Sequence, residues 1–170
     1  AQGPVTVVFD TGGTAPFPVF LSQATARRLN LPLSEEVAPP DSTAVGAARQ
    51  IYRTTRLPSF TLGPIAMTDT PAAVVPMIDA MEAQVGRRVD AIVGHELVKD
   101  RRIAIDYAAR TLDLAAAEPS SPSLPMTYAA RKPLMLVPAT INGKGPFLMQ
   151  VDTGATATLL SPKAARRAGV

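Results

Sequence analysis

Short apolar runs separated by glycines, prolines and polar turns set the pattern of this chain. Residues 5–9 (VTVVF) are β-branched and aromatic and stop at Asp10, and Gly12-Gly13 then offer a backbone free to turn. Residues 14–20 (TAPFPVF) carry two prolines and are expected to be extended or looped. Residues 21–29 predict a short helix, capped by Ser22, filled by Ala and Arg, and ended by Asn30 and Pro32. Residues 33–42 read as loop. Residues 44–61 offer two strand-like pieces with Gly46 and Gly63 at bends, and residues 65–75 a further strand pair. Residues 77–85 fit either a short helix or a wide loop.

The second half is more regular. Residues 89–94 (VDAIVG) form a buried-type strand halted by Gly94, and residues 96–101 a helical turn. Residues 103–107 (IAIDY) and 111–114 (TLDL) alternate apolar with polar across a three-residue gap, the pattern of a hairpin. Residues 115–125 (AAAEPSSPSLP) shift to small residues and proline, a linker composition. Residues 134–141 predict a strand, Asn142-Gly143-Lys144-Gly145 a tight hairpin turn, and residues 147–151 the strand that delivers Asp152.

Composition narrows the class. Hydrophobic residues make up 46% and charged residues 18%, enough apolar side chains for a real core. Aromatics are only 5% and Trp is absent, so Ala, Val and Leu must fill it. Seventeen prolines favour short strands with frequent turns over long helices. At 170 residues the chain fits one domain or two small ones. The net charge of +3 comes from scattered Arg pairs without interleaved aromatics, so nucleic acid is not the expected partner; the pairs are expected on solvated faces. There is no Cys and a single His, which excludes disulfide and thiolate chemistry and argues against a bound metal. No apolar run reaches the ~20 residues of a membrane-spanning helix, and no signal peptide is evident.

Against that background one tripeptide occurs twice: Asp10-Thr11-Gly12 in VVFDTGG and Asp152-Thr153-Gly154 in MQVDTGA. A given tripeptide is expected by chance about a few hundredths of a time in a chain of this size, so the pair is a signal. The flanks agree. LSQATARRLNL (residues 21–31) and LSPKAARRAGV (residues 160–170) share Leu, Ser, Ala, Arg and Arg, five of eleven positions. The chain therefore contains an internal repeat whose two Asp each sit where a strand enters a tight turn.

These residues resemble the retropepsin-like aspartic proteases, in particular bacterial members with two copies in one chain. Asp-Thr-Gly-Gly at 10–13 and Asp-Thr-Gly-Ala at 152–155 match the catalytic turn, and residues 141–155 its entry hairpin. Residues 91–97 (AIVGHEL), with the strands that follow, are similar to the family's hydrophobic-hydrophobic-Gly segment. The resemblance implies an all-β fold with short helices, a retropepsin-like acid protease fold that is bilobal or a strand-sharing pseudo-dimer. It implies an aspartic endopeptidase acting on extended polypeptides, without cofactor or metal. Asp10 and Asp152 would be the catalytic pair, with Thr11, Gly12, Thr153 and Gly154 supporting the two loops. Ile92, Val93 and Gly94 would pack behind the first loop, and Gly46 would lie near the tip of a flap. The physical logic is independent: two carboxyls about 3 Å apart cannot both ionise, so they share one proton and supply an acid and a base together.

The two copies are unequal. The first has three more residues between its Asp and the shared Leu-Ser, and the second has no counterpart of residues 44–114. The expected organisation is a first lobe at 1–115, a Pro/Ser linker at 116–128, and the opening of a second lobe at 129–170. Its completion would come from a homodimer partner or from further chain. The compartment is open, with a periplasmic or secreted setting suggested by the bacterial resemblance. Two other readings compete. One is a catalytically inactive binding or dimerisation module on the same β fold. The other is the phosphate-binding turn of actin-like ATPases, which Asp-Thr-Gly-Gly-Thr at 10–14 also resembles, although no further phosphate motif accompanies it. Asp90, Asp106 and Asp113 are expected at turn or solvent-facing positions. His95 is expected at a polar surface or cap, and Met77, Met81, Met126, Met135 and Met149 as core filler.

Overall fold

A computed structural model describes residues 3–13, 16–37, 51–117, 123–129 and 134–170. The order is β1 (Val7–Phe9), β2 (Val19–Leu21), α1 (Gln23–Arg28), β3 (Arg53–Leu62), β4 (Ile65–Val74), a 3₁₀ helix (Pro76–Met81) and α2 (Glu82–Val85). There follow β5 (Ala91–Val93), α3 (His95–Val98), β6 (Ala104–Asp106), β7 (Thr111–Asp113), β8 (Thr127–Tyr128), β9 (Met135–Ile141), β10 (Lys144–Gln150) and α4 (Pro162–Ala168). The fold is all-β with short helices, as the pattern of short runs and prolines predicts.

Five strands form the main sheet in the order β1-β5-β2-β4-β3. The two strands nearest the first Asp are parallel, β1 with β5, while β2 runs antiparallel to β5 and parallel to β4. The sheet is buried on both faces at its centre, where successive residues point to opposite sides. Ala72 and Val74 join Val19, Leu21, Ala91 and Val93 in one cluster. Ala73 and Val75 join Ile78 and Val89 in another, with Phe20 against them. Small aliphatic side chains thus fill the core, as the lack of aromatics requires.

The outer hairpin departs from the sequence reading. Residues 53–62 form one strand rather than two pieces, and residues 65–74 one strand rather than a pair. Pro58, which lacks an N–H, is absorbed by a skip in the ladder between Leu57–Thr70 and Ser59–Thr68. Opposite the skip, Asp69 takes φ 48°, and Arg56 holds its carboxylate with Nη2 at 2.7 Å. The two-residue turn at Gly63-Pro64 closes the hairpin as expected. The proline-rich stretch before α1 contains β2, which sits in the middle of the sheet.

Both copies of the repeat build the same helix start. Ser22 Oγ accepts from Thr25 N at 3.0 Å, and Ser161 Oγ accepts from Ala164 N at 3.1 Å. The hairpin before Asp152 also forms as predicted: β9 and β10 pair antiparallel, and Asn142 and Gly143 take φ 50° and 70° in their turn. β8 adds to the other edge of β9, with Thr127 opposite Leu136.

Candidate active site

The end of β1 sets the first loop. The parallel ladder between β1 and β5 runs one residue further, with Asp10 N donating to Val93 O at 3.0 Å. Beyond it the chain turns, and Asp10 Oδ1 accepts from Gly12 N at 2.8 Å and Gly13 N at 3.1 Å. The end of β10 sets the second loop in the same way: Asp152 Oδ1 accepts from Gly154 N at 2.9 Å. Each carboxylate is therefore folded back over its own turn, aimed by backbone N–H groups that only a tight turn presents.

Two threonines tie the loops together by a reciprocal set of bonds. Thr11 N donates to Thr153 Oγ1 at 3.1 Å, and Thr153 N donates to Thr11 Oγ1 at 3.1 Å. Each hydroxyl then donates to the carbonyl that precedes the opposite aspartate. Thr153 Oγ1 reaches Phe9 O at 2.8 Å, and Thr11 Oγ1 reaches Val151 O at 3.1 Å. Four bonds related by an approximate two-fold axis hold two loops 142 residues apart in sequence.

The glycines explain how closely the loops meet. A Cβ on Gly154 would stand 2.6 Å from Asp10 Cγ, and one on Gly12 would fall inside the Asp152 carboxyl. Each carboxylate thus lies against the glycine of the opposite loop. Asp10 is pushed above its ordinary value of 3.8, first by burial and then by the charge of Asp152. The N–H groups of Gly12 and Gly13 pull the other way without reversing the shift.

Ile92, Val93 and Gly94 lie behind the first loop, β5 being wedged between β1 and β2. Gly94 has no room for a side chain, since a Cβ there would meet Gly13 O at 2.8 Å. The next N–H, that of His95, donates to Gly13 O at 3.0 Å and fixes the far side of the loop. Gly46 lies outside the described residues.

Three expectations are corrected. His95 is buried, 1% exposed, because its backbone is pinned to the first loop and the Tyr128 ring packs on it edge-on at 5.5 Å. Asp90 is not a turn residue at the surface but a buried hub, also 1% exposed. It accepts from Thr6 N at 2.8 Å and Thr25 Oγ1 at 2.7 Å, and it pairs with Arg28 at 3.0 Å and Arg88 at 3.1 Å. Two of the Arg pairs thus each reach a buried carboxylate with one member while staying on solvated faces as expected. Met77 and Met126 are exposed rather than core filler. Asp106 and Asp113 are exposed as expected, each accepting from a nearby backbone N–H.

Burial alone would raise the Asp90 carboxyl, but the Thr6 and Thr25 hydrogen bonds and the two arginines outweigh it and hold the group below 3.8. The signal in the sequence was an acid just ahead of an apolar strand, within two residues of Arg88. Gly13, named from the sequence only as part of the turn, both donates to Asp10 and accepts from His95. Among the described residues no group of three or more His, Asp or Glu is placed to hold a metal ion.

The aspartyl protease family model matches residues 1–97 and 137–170, which include both loops. The chain belongs to the aspartyl protease family, and its all-β architecture is that of the retropepsin-like fold. No curated protein and no solved structure gives a significant match.

Proposed function

We propose that the protein is an endopeptidase in which Asp10 and Asp152 form one catalytic pair. The observation that carries this reading is the reciprocal Thr11–Thr153 brace, which presents each carboxylate to the opposite loop. Membership of the aspartyl protease family supports it. The pair would hold one proton between them and titrate as a unit. The ionised carboxylate takes a proton from a water, whose oxygen bonds to the peptide carbonyl carbon, while the protonated carboxyl gives its proton to the carbonyl oxygen. In the second step the C–N bond breaks, and the leaving nitrogen takes the proton that came from the water. The acid product returns the other proton to the pair. The substrate would be an extended polypeptide, bound as an added strand. The same proposal divides the chain into a first lobe at 1–115, a linker at 116–128 and the opening of a second lobe at 129–170.

The test is cleavage of an unfolded protein between about pH 3 and 7 by the wild type, Asp10→Asn and Asp152→Asn. Both variants should lose ~100-fold or more in rate. Loss in only one variant would mean that a symmetric dimer uses that aspartate twice. No cleavage by the wild type at any pH would replace this reading with a non-catalytic binding module.

A further inference from the structure

The sheet that delivers Asp152 also reaches the far side of the first loop. Its short strand β8 carries Tyr128, whose ring meets the His95 ring edge-on, with centroids 5.5 Å apart and planes at 67°. Tyr128 lies opposite Met135 of β9, and β9 pairs in turn with β10, the strand that ends at Asp152. His95 belongs to the first copy, where it opens α3 directly after Gly94. The ring contact therefore joins the sheet behind one aspartate to the loop of the other.

His95 passes that contact on to Asp10 in two steps. Its N–H donates to Gly13 O at 3.0 Å, and Gly13 N donates to Asp10 Oδ1 at 3.1 Å. There is little slack between them, since even a Cβ on Gly94 would meet Gly13 O at 2.8 Å. α3 holds the His95 backbone from the other direction. Lys99 N donates to His95 O at 2.9 Å, and Leu97 and Val98 are anchored in the core. The imidazole is buried, and its Nδ1 has no hydrogen-bond partner among the described residues. A buried ring with an unbonded nitrogen depends on packing for its orientation, and an edge-to-face contact fixes direction as well as distance. The Tyr128 ring supplies such a contact while remaining half-exposed itself.

We infer that Tyr128 is a positioning residue for the first loop. Its ring confines His95, and His95 confines Gly13 and with it the Asp10 carboxylate. This rests on the reading of Asp10 and Asp152 as the catalytic pair. The placement of one carboxylate against the other then has two supports. The threonine brace joins the loops directly, and Tyr128 sets the first loop from its far side. Because Tyr128 acts through other residues, its loss should slow turnover and leave substrate affinity alone.

The test compares Tyr128→Ala and Tyr128→Phe with the wild type in two measurements. The first is amide hydrogen exchange, which needs no cleavage. In Tyr128→Ala the His95 N–H should exchange about tenfold faster, the upper end of what losing one aromatic pair does to a local opening equilibrium. The Thr25 N–H, held by the Ser22 cap, should keep its wild-type rate, which separates local loosening from a general loss of stability. The second measurement is cleavage of an unfolded protein. In Tyr128→Ala kcat should fall about tenfold with KM unchanged, as expected for a carboxylate displaced by a fraction of an ångström. Tyr128→Phe keeps the ring and should match the wild type in both. The inference is overturned by wild-type exchange at His95 in Tyr128→Ala, by equal acceleration at His95 and Thr25, by faster exchange with unchanged kcat, or by a Tyr128→Phe variant that behaves like Tyr128→Ala. A wild type that cleaves nothing removes the catalytic reading instead, and exchange at His95 alone then decides whether Tyr128 holds the loop.

Discussion

Replacing Gly154 with alanine places a methyl group where the Asp10 carboxyl lies. A Cβ at that position stands 2.6 Å from Asp10 Cγ and 2.7 Å from Oδ1, against an ordinary contact of 3.4–4 Å. The carboxyl must therefore retreat by roughly 1 Å, the distance from that overlap to optimal carbon–carbon contact. Retreat draws Oδ1 away from the Gly12 and Gly13 N–H groups, now at 2.8 Å and 3.1 Å. Misplacing a reacting group by about 1 Å costs on the order of 100-fold in rate. The loss of two charge-assisted hydrogen bonds at a half-exposed site lowers stability by only about 1–3 kcal/mol. The backbone of Gly154 is outside the left-handed region, so the effect is steric. The assay is the initial rate of cleavage of an unfolded protein, alongside a urea melt of the same sample. Gly143→Ala is the control: it sits at φ +70° with nothing within 4 Å, and it should cost stability without slowing cleavage. A folded Gly154→Ala variant that cleaves at the wild-type rate would refute the claim that the two loops must meet this closely.

Two further predictions concern the framework. Thr153→Val removes the hydroxyl that serves both Phe9 O and Thr11 N, leaving a donor and an acceptor unpaired, and should lower unfolding free energy by about 2–4 kcal/mol in urea melts. Thr11→Val should cost a similar amount, and the double variant less than the sum, because each change releases the same loop pairing. Asp90→Asn removes the charge that Arg28 and Arg88 share, and should destabilise by about 2–3 kcal/mol at pH 7, reduced because both arginines keep access to water. The sign with pH follows from the depressed Asp90 carboxyl. Its contribution is complete above 3.8 and is lost as pH falls through its native value, so wild type and Asp90→Asn should converge in stability in strong acid.

Much of this framework was legible because it is local. The repeated Asp-Thr-Gly, the Ser22 cap and the Asn142-Gly143 turn each act within a few residues, and each formed where the sequence placed it. What stayed hidden depends on where distant elements land. The position of β2 at the centre of the sheet is decided by its neighbours β4 and β5, not by the prolines before it. The continuity of β3 through Pro58 depends on Asp69 bending opposite it. His95 reads as a surface residue until Gly94 is seen to be pressed against Gly13 and Tyr128 arrives from β8. Asp90 reads as a turn until α1 delivers Thr25 and Arg28 to it.

The central claim is that Asp10 and Asp152 share one electrostatic site. Its most direct measurement is the titration of the Asp10 carboxyl carbon by NMR, in the wild type and in Asp152→Asn. Burial raises Asp10 in both proteins, but the charge of Asp152 acts only in the wild type. Asp10 should therefore titrate above 3.8 in the wild type and move back toward that value in the variant. An Asp10 titration unchanged by the loss of the Asp152 charge would contradict the pairing.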